Sequence, residues 1–90
     1  MSRVTAAGDR YELTVDDRRA GFLSFRDDGD VVDLVHTEID PDLRGGELGS
    51  ELVAGALDDL RAQGRRVRPS CSFVAAYIRR HPEYAELVAD

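Results

Sequence analysis

The sequence predicts an α/β fold of the α+β kind, with its elements in the order β-β-β-α-β-α-α. Three observations carry that expectation: residue-by-residue alternation before Ile39, a change to helical spacing from Leu48, and a strand–helix–strand passage after it. Ninety residues make one domain, residues 1–90. A chain this short buries about 60–65% of the surface it exposes when unfolded. Its 42% apolar content supplies one core and leaves little for insertions.

The elements follow in order. Residues 1–9 are polar and are expected to fray. Tyr11, Leu13 and Val15 alternate with Glu12, Thr14 and Asp16, the pattern of a half-buried strand. Asp16-Asp17-Arg18-Arg19 reads as a turn, Ala20 to Arg26 as a second strand, and Asp28-Gly29 as a hairpin signal. Val31 to Ile39 is a third strand, ended at Asp40 because the next residue, Pro41, lacks a donor. Leu48, Leu52, Val53, Ala56, Leu57 and Leu60 then recur at helical spacing, and Gly64 is placed to cap that helix. Arg65 to Pro69 forms a short strand, a parallel neighbour of the third. Ser70 or Cys71 opens a second helix over Phe73 to Arg80, and Pro82 starts a last turn or two ending near Val88.

Charge narrows the function. The net charge is −6, and all twelve basic residues are Arg, with no Lys in the chain. An acidic chain is a poor match for nucleic acid, and no nucleic-acid partner is expected. Between Arg61 and Arg80 there are six Arg and no acid, a segment able to hold a compact phosphorylated cofactor. Arg61, Arg65 and Arg66 equally well complement a helix C-terminus; Arg79 and Arg80 are freer to meet a ligand. The longest uncharged stretch, Pro69 to Ile78, is far below the ~20 apolar residues of a spanning helix, so no membrane partner is expected. One Cys and two His provide neither a disulfide framework nor a dedicated metal site, and a cytoplasmic protein fits best.

The chemistry concentrates where the third strand meets the first helix. Arg44-Gly45-Gly46-Glu47-Leu48-Gly49-Ser50 is a glycine-rich turn directly before a helix. Free N–H groups and the positive end of the helix dipole there suit phosphate oxygens. The turn is no P-loop, because Gly-Lys-Ser/Thr is missing, and it lacks the full dinucleotide fingerprint. By itself it serves equally as a tight turn.

Two further stretches bring a resemblance. His36-Thr37-Glu38-Ile39-Asp40-Pro41 precedes the loop, and Pro69-Ser70-Cys71-Ser72-Phe73-Val74-Ala75-Ala76-Tyr77-Ile78-Arg79-Arg80-His81-Pro82-Glu83-Tyr84 closes the chain. Together, over about Tyr11 to Val88, they resemble a compact subfamily of GNAT-type N-acetyltransferases. That resemblance implies a compact GNAT-like fold, a mainly antiparallel sheet with a splayed parallel strand pair, and acetyl-CoA (coenzyme A) as the cofactor. It implies that backbone groups of Glu38 and Ile39 bind the pantetheine arm. The loop of Arg44, Gly45, Gly46, Glu47, Leu48, Gly49 and Ser50 would hold the pyrophosphate. It also implies direct transfer of acetyl to an amine acceptor, with a base to deprotonate the amine and an acid to protonate the departing thiolate.

His36 and Cys71 are the catalytic candidates. Strict alternation puts His36 on the face of Val32 and Leu34, as a core residue or as a base titrating in the range an amine proton requires. Cys71 is either a small buried hydrophobe or, at a helix start, a favoured thiolate. Tyr77 and Tyr84 either pack or offer a phenol to the leaving thiolate; Tyr77 and Arg80 complete the cofactor-site candidates. Glu47 stands where the family loop has a glycine. It either repels the pyrophosphate or points to solvent, where an acid complements the helix dipole. Hence two functions: an N-acetyltransferase, or a catalytically weak CoA-binding or protein-interaction module. The chain has no extra helices for acceptor recognition, so that site is shallow, shared with a partner, or built by a homodimer.

Overall fold

The computed structural model of the chain describes residues 1–44 and 46–89. Five strands form one sheet in chain order: β1 (Ser2–Ala7), β2 (Arg10–Val15), β3 (Arg18–Asp28), β4 (Val31–Ile39) and β5 (Arg66–Pro69). The first four are successively antiparallel, and β5 runs parallel to β4. Helix α1 (Leu48–Ala62) links β4 to β5, and α2 (Ser72–Arg80) follows β5. Short 3-10 segments at Pro41–Leu43 and Pro82–Leu87 complete the chain, so the last expected helix is a tighter 3-10 turn.

Local chemistry explains the turns. Asp16 and Asp17 both take positive φ, 49° and 68°, the geometry of a tight hairpin turn that short polar side chains tolerate. Gly29 takes φ 86°, and its N–H donates to Asp27 Oδ1 at 3.0 Å. α1 buries Leu52, Val53, Ala56, Leu57 and Leu60 along one stripe and ends where Gly64 turns left-handed, its N–H reaching the Arg61 carbonyl.

The N-terminus departs from expectation. Residues 1–9 do not fray: β1 pairs along its whole length with β2, from Ser2↔Val15 to Ala7↔Arg10. Its side chains are almost all exposed, so no apolar alternation announces it. It is held by the backbone ladder, by Ser2 Oγ donating to Glu51 Oε1 at 2.7 Å, and by Val4 lying against Gly55 of α1.

Both helices pack on one face of the sheet, in a core that includes Leu13, Leu23, Leu34, Leu57 and Val74. The opposite face is left to polar and charged side chains around Phe22, whose ring lies 4.7 Å beneath the Arg10 guanidinium.

β4 changes phase midway. Phe25 pairs with Leu34 but Ser24 pairs with His36, so Val35 is an extra residue and a bulge. Before the bulge Val32 and Leu34 face the core; after it Thr37 and Ile39 do. His36 is therefore turned to the open face, and the expected alternation with Val32 and Leu34 is corrected: the bulge breaks the period of two.

Beyond that point β4 and β5 part. Their pairing covers only Val31↔Arg66 to Leu34↔Pro69, while β4 continues to Ile39. Pro69 has no N–H to extend the ladder. The last tie between main-chain groups is Cys71 N–H to the Leu34 carbonyl, 2.9 Å.

Candidate active site

The divergence leaves one side of β4 without a strand neighbour. Asp40 N–H donates to Ala20 O at 2.8 Å, so the main chain of Asp40 faces β3. By alternation that of Glu38 does too, whereas Thr37 and Ile39 turn their N–H and C=O into the gap. Glu38 thus spends its backbone groups on β3, and Thr37 takes the place expected for it. The bulge at Val35 sets this, and no sequence signal announces the bulge.

A cleft of about 430 Å³ fills the gap. Its β4 wall is His36, Thr37, Glu38 and Ile39; its other wall is the loop and helix start, with Arg44, Gly46, Leu48, Gly49 and Ser50. Leu43 and Phe73 complete it, and with Thr37 they are the lining residues not singled out in advance. Gly45, also expected in the loop, lies outside the described residues.

The two described loop glycines do different work. A Cβ at Gly49 would stand 2.9 Å from Phe73 Cζ, so this glycine lets α2 approach α1. A Cβ at Gly46, a residue of the cleft lining, would meet nothing within 4 Å. The first-turn N–H groups of α1 have no intrahelical partner. Open space beside donor groups at a positive helix end fits a phosphorylated ligand.

Glu47 is exposed at the N-cap of α1 and makes no capping hydrogen bond. It does not line the cleft, although both neighbours do. Arg44 is folded back, its Nε donating to the Ile39 carbonyl at 3.3 Å. Tyr77 and Arg80 do not line the cleft either. Tyr77 is buried, stacked on His81 at 4.0 Å and tilted against Tyr84 at 6.0 Å; Arg80 is exposed in the last turn of α2.

Cys71 and His36 stand on either side of Thr37. Cys71 is the N-cap of α2 and 9% exposed, and its Sγ lies 3.4 Å from Thr37 Oγ1. Burial pushes its thiol up, but the Thr37 hydroxyl and the N–H groups of Val74, Phe73 and Thr37 outweigh this and hold it below the ordinary value. His36 is on the open face, 6.2 Å from the Phe22 ring, with Nε2 3.4 Å from Glu38 Oε1. Of the two, His36 lines the cleft, whereas the buried Cys71 thiol lies beside Thr37 and is not among the lining residues.

A parallel strand pair opening onto a glycine-led helix start, with an imidazole and a thiol near it, has the layout of an acyl-group transferase. The chain belongs to the GCN5-related N-acetyltransferase family, whose model matches residues 10–87, and it is an acetyltransferase. Solved structures share the fold. A GCN5-like protein from Staphylococcus aureus aligns with a TM-score of 0.73 at 16% identity, over 97% of this chain and 87% of its own. The ribosomal-protein-S18-alanine N-acetyltransferase from Escherichia coli gives 0.66 at 22% identity, over 84% of this chain. The PaiA N-acetyltransferase from Thermoplasma acidophilum, in complex with coenzyme A, gives 0.60 at 16% identity, over 79%. The chain spans 54% and 48% of the lengths of these last two. No described helix is long and apolar enough to cross a membrane.

Proposed function

We propose that the protein is an acetyl-CoA-dependent N-acetyltransferase that moves acetyl directly to an amine. The observation that carries this reading is the cleft between the unpaired edge of β4 and the glycine-led start of α1. The cofactor would supply the acetyl group as a thioester whose thiolate departs on transfer. Thr37 and Ile39 offer main-chain groups to its arm, and the first turn of α1 offers N–H donors to its phosphates. His36, its Nε2–H oriented by Glu38 Oε1, takes a proton on Nδ1 from the incoming ammonium and frees the amine lone pair for attack. Cys71 gives its thiol proton to the departing thiolate. A thiol held below its ordinary value is the stronger acid of the two, so that transfer runs downhill.

The coenzyme A complex of the Thermoplasma acidophilum relative supports the cofactor assignment through the shared fold. Calorimetry with acetyl-CoA, followed by thiol release against a panel of amines, tests it. Saturable binding with release on at least one amine is expected. No binding at millimolar acetyl-CoA overturns the proposal, and binding without release on any amine establishes a CoA-binding module instead.

A further inference from the structure

β4 and β5 part at one point, and a side chain that ties them there has no part in the reaction above. Among the described residues Asp33 is the one buried charged group, at 8% exposure. It faces the open side of the sheet, in register with Arg26 of β3 and Arg68 of β5. Its hydrogen-bond donor is neither arginine: Ser70 Oγ donates to Asp33 Oδ1 at 2.5 Å.

Ser70 is the first residue beyond β5 and directly precedes Cys71. Its N–H turns back to the Arg68 carbonyl at 3.0 Å, and Cys71 N–H binds the Leu34 carbonyl at 2.9 Å. Residues 70 and 71 are thus fastened to residues 33 and 34 by one side-chain bond and one main-chain bond, at the apex of the splay. Charge-assisted hydrogen bonds are about twice as strong as neutral ones, and a buried carboxylate that loses its donor must move or take another partner. The groups that lower the Cys71 thiol are the Thr37 hydroxyl and N–H groups, with no charged side chain among them. Such short-range donors act only while the sulfur stays where it is.

We propose that Asp33 and Ser70 are the positioning pair of the active site, fixing the β5–α2 junction on β4 so that the Cys71 sulfur faces Thr37. The inference rests on the acetyl-transfer reading only for the use made of that sulfur. It adds two residues that touch neither cofactor nor acceptor and act through Cys71.

Cys71 is the sole cysteine, so alkylation reports on it without ambiguity. The rate of iodoacetamide modification of the protein alone, measured against pH, gives the midpoint of the thiol. Ser70→Ala should raise that midpoint toward the ordinary thiol value of about 8.5. Ser70→Thr, which keeps a hydroxyl, should leave it in place. Asp33→Asn keeps an uncharged acceptor and no unpaired buried charge, so it should fold and give a smaller shift in the same direction. A pair that serves stability alone would lower the melting temperature and leave the midpoint where it is. Midpoints unmoved in both Ser70→Ala and Asp33→Asn, with circular dichroism intact, overturn the proposal. The readout needs no acetyl-CoA, so failure of the transferase reading would show separately, as absent binding in the unmodified protein.

Discussion

Cys71 sits where β4, β5 and α2 meet, and three consequences can be measured on single residues. Cys71→Ala should lower the rate of acetyl transfer by about 10²-fold with little change in acetyl-CoA affinity, a range typical of lost proton transfer. Steady-state kinetics and calorimetry separate the two. The thiol also couples to stability. Its folded value lies below the unfolded one, so the folded state releases the proton first. That contribution is complete above the unfolded value of about 8.5 and disappears as pH falls through the folded value. Urea midpoints of the unmodified protein relative to Cys71→Ala should therefore diverge as pH rises through this window. Glu47, outside the cleft, should matter little. Glu47→Gly is expected to change acetyl-CoA affinity by about twofold or less, since an exposed carboxylate is screened by solvent and salt. A tenfold gain measured by calorimetry would mean that this side chain swings in over the phosphates.

At the scale of elements, legibility followed side-chain pattern. β2 and α1 announce themselves because half of each is apolar at a fixed period, β4 through its β-branched and apolar content before Pro41, and Gly64 and Asp28-Gly29 mark ends that only special backbone can make. β1 is silent because an exposed edge strand has no buried face to encode; only Val4 is half-buried. The site was legible as a place. His36, Glu38, Ile39, Arg44, Gly46, Leu48, Gly49 and Ser50 all reach the cleft, because a loop and a strand end lie close in sequence. The face of His36 and the role of Thr37 were not legible, since both depend on which residue is extra in a pairing between strands. Tyr77, chosen from the helical tail, packs against the last turn instead. The β1 contact is testable through Gly55: a Cβ there would stand 2.6 Å from Val4 Cγ2. Gly55→Ala must push β1 away despite its better helix propensity. A net loss of about 1–3 kcal/mol in urea denaturation is expected. Faster exchange of β1 amides should accompany it.

On the scale of the whole molecule, one sheet face carries the entire core, and two tyrosines clasp the layers together. Tyr11 OH of β2 donates to Asp59 and Tyr84 OH of the C-terminal segment donates to Asp58, each at 2.7 Å, on successive residues of α1. Burial first, then the bond to Asp58, raises the Tyr84 phenol to about 12. A folded value above the unfolded one means that this contribution is full below about pH 10 and is lost as pH rises toward the folded value. Tyr84→Phe should cost about 1–2 kcal/mol at neutral pH, and the difference from the unmodified protein should shrink above pH ~10. Urea denaturation across that range measures it, and phenolate absorbance should show late ionisation that the substitution removes.

The extra residue at Val35 makes β4 a strand of two parities: even-numbered side chains belong to the core before it and odd-numbered ones after it. Each half can therefore vary without re-registering the other, the first answering to α1 and β5 and the second to a ligand. Deleting that single residue would leave a regular ladder with His36 still on the open face and Thr37 and Ile39 still inward. Straightening the strand with Val35 kept in the ladder would instead invert the site, driving His36 and Glu38 under α1 and turning Thr37 and Ile39 out to water.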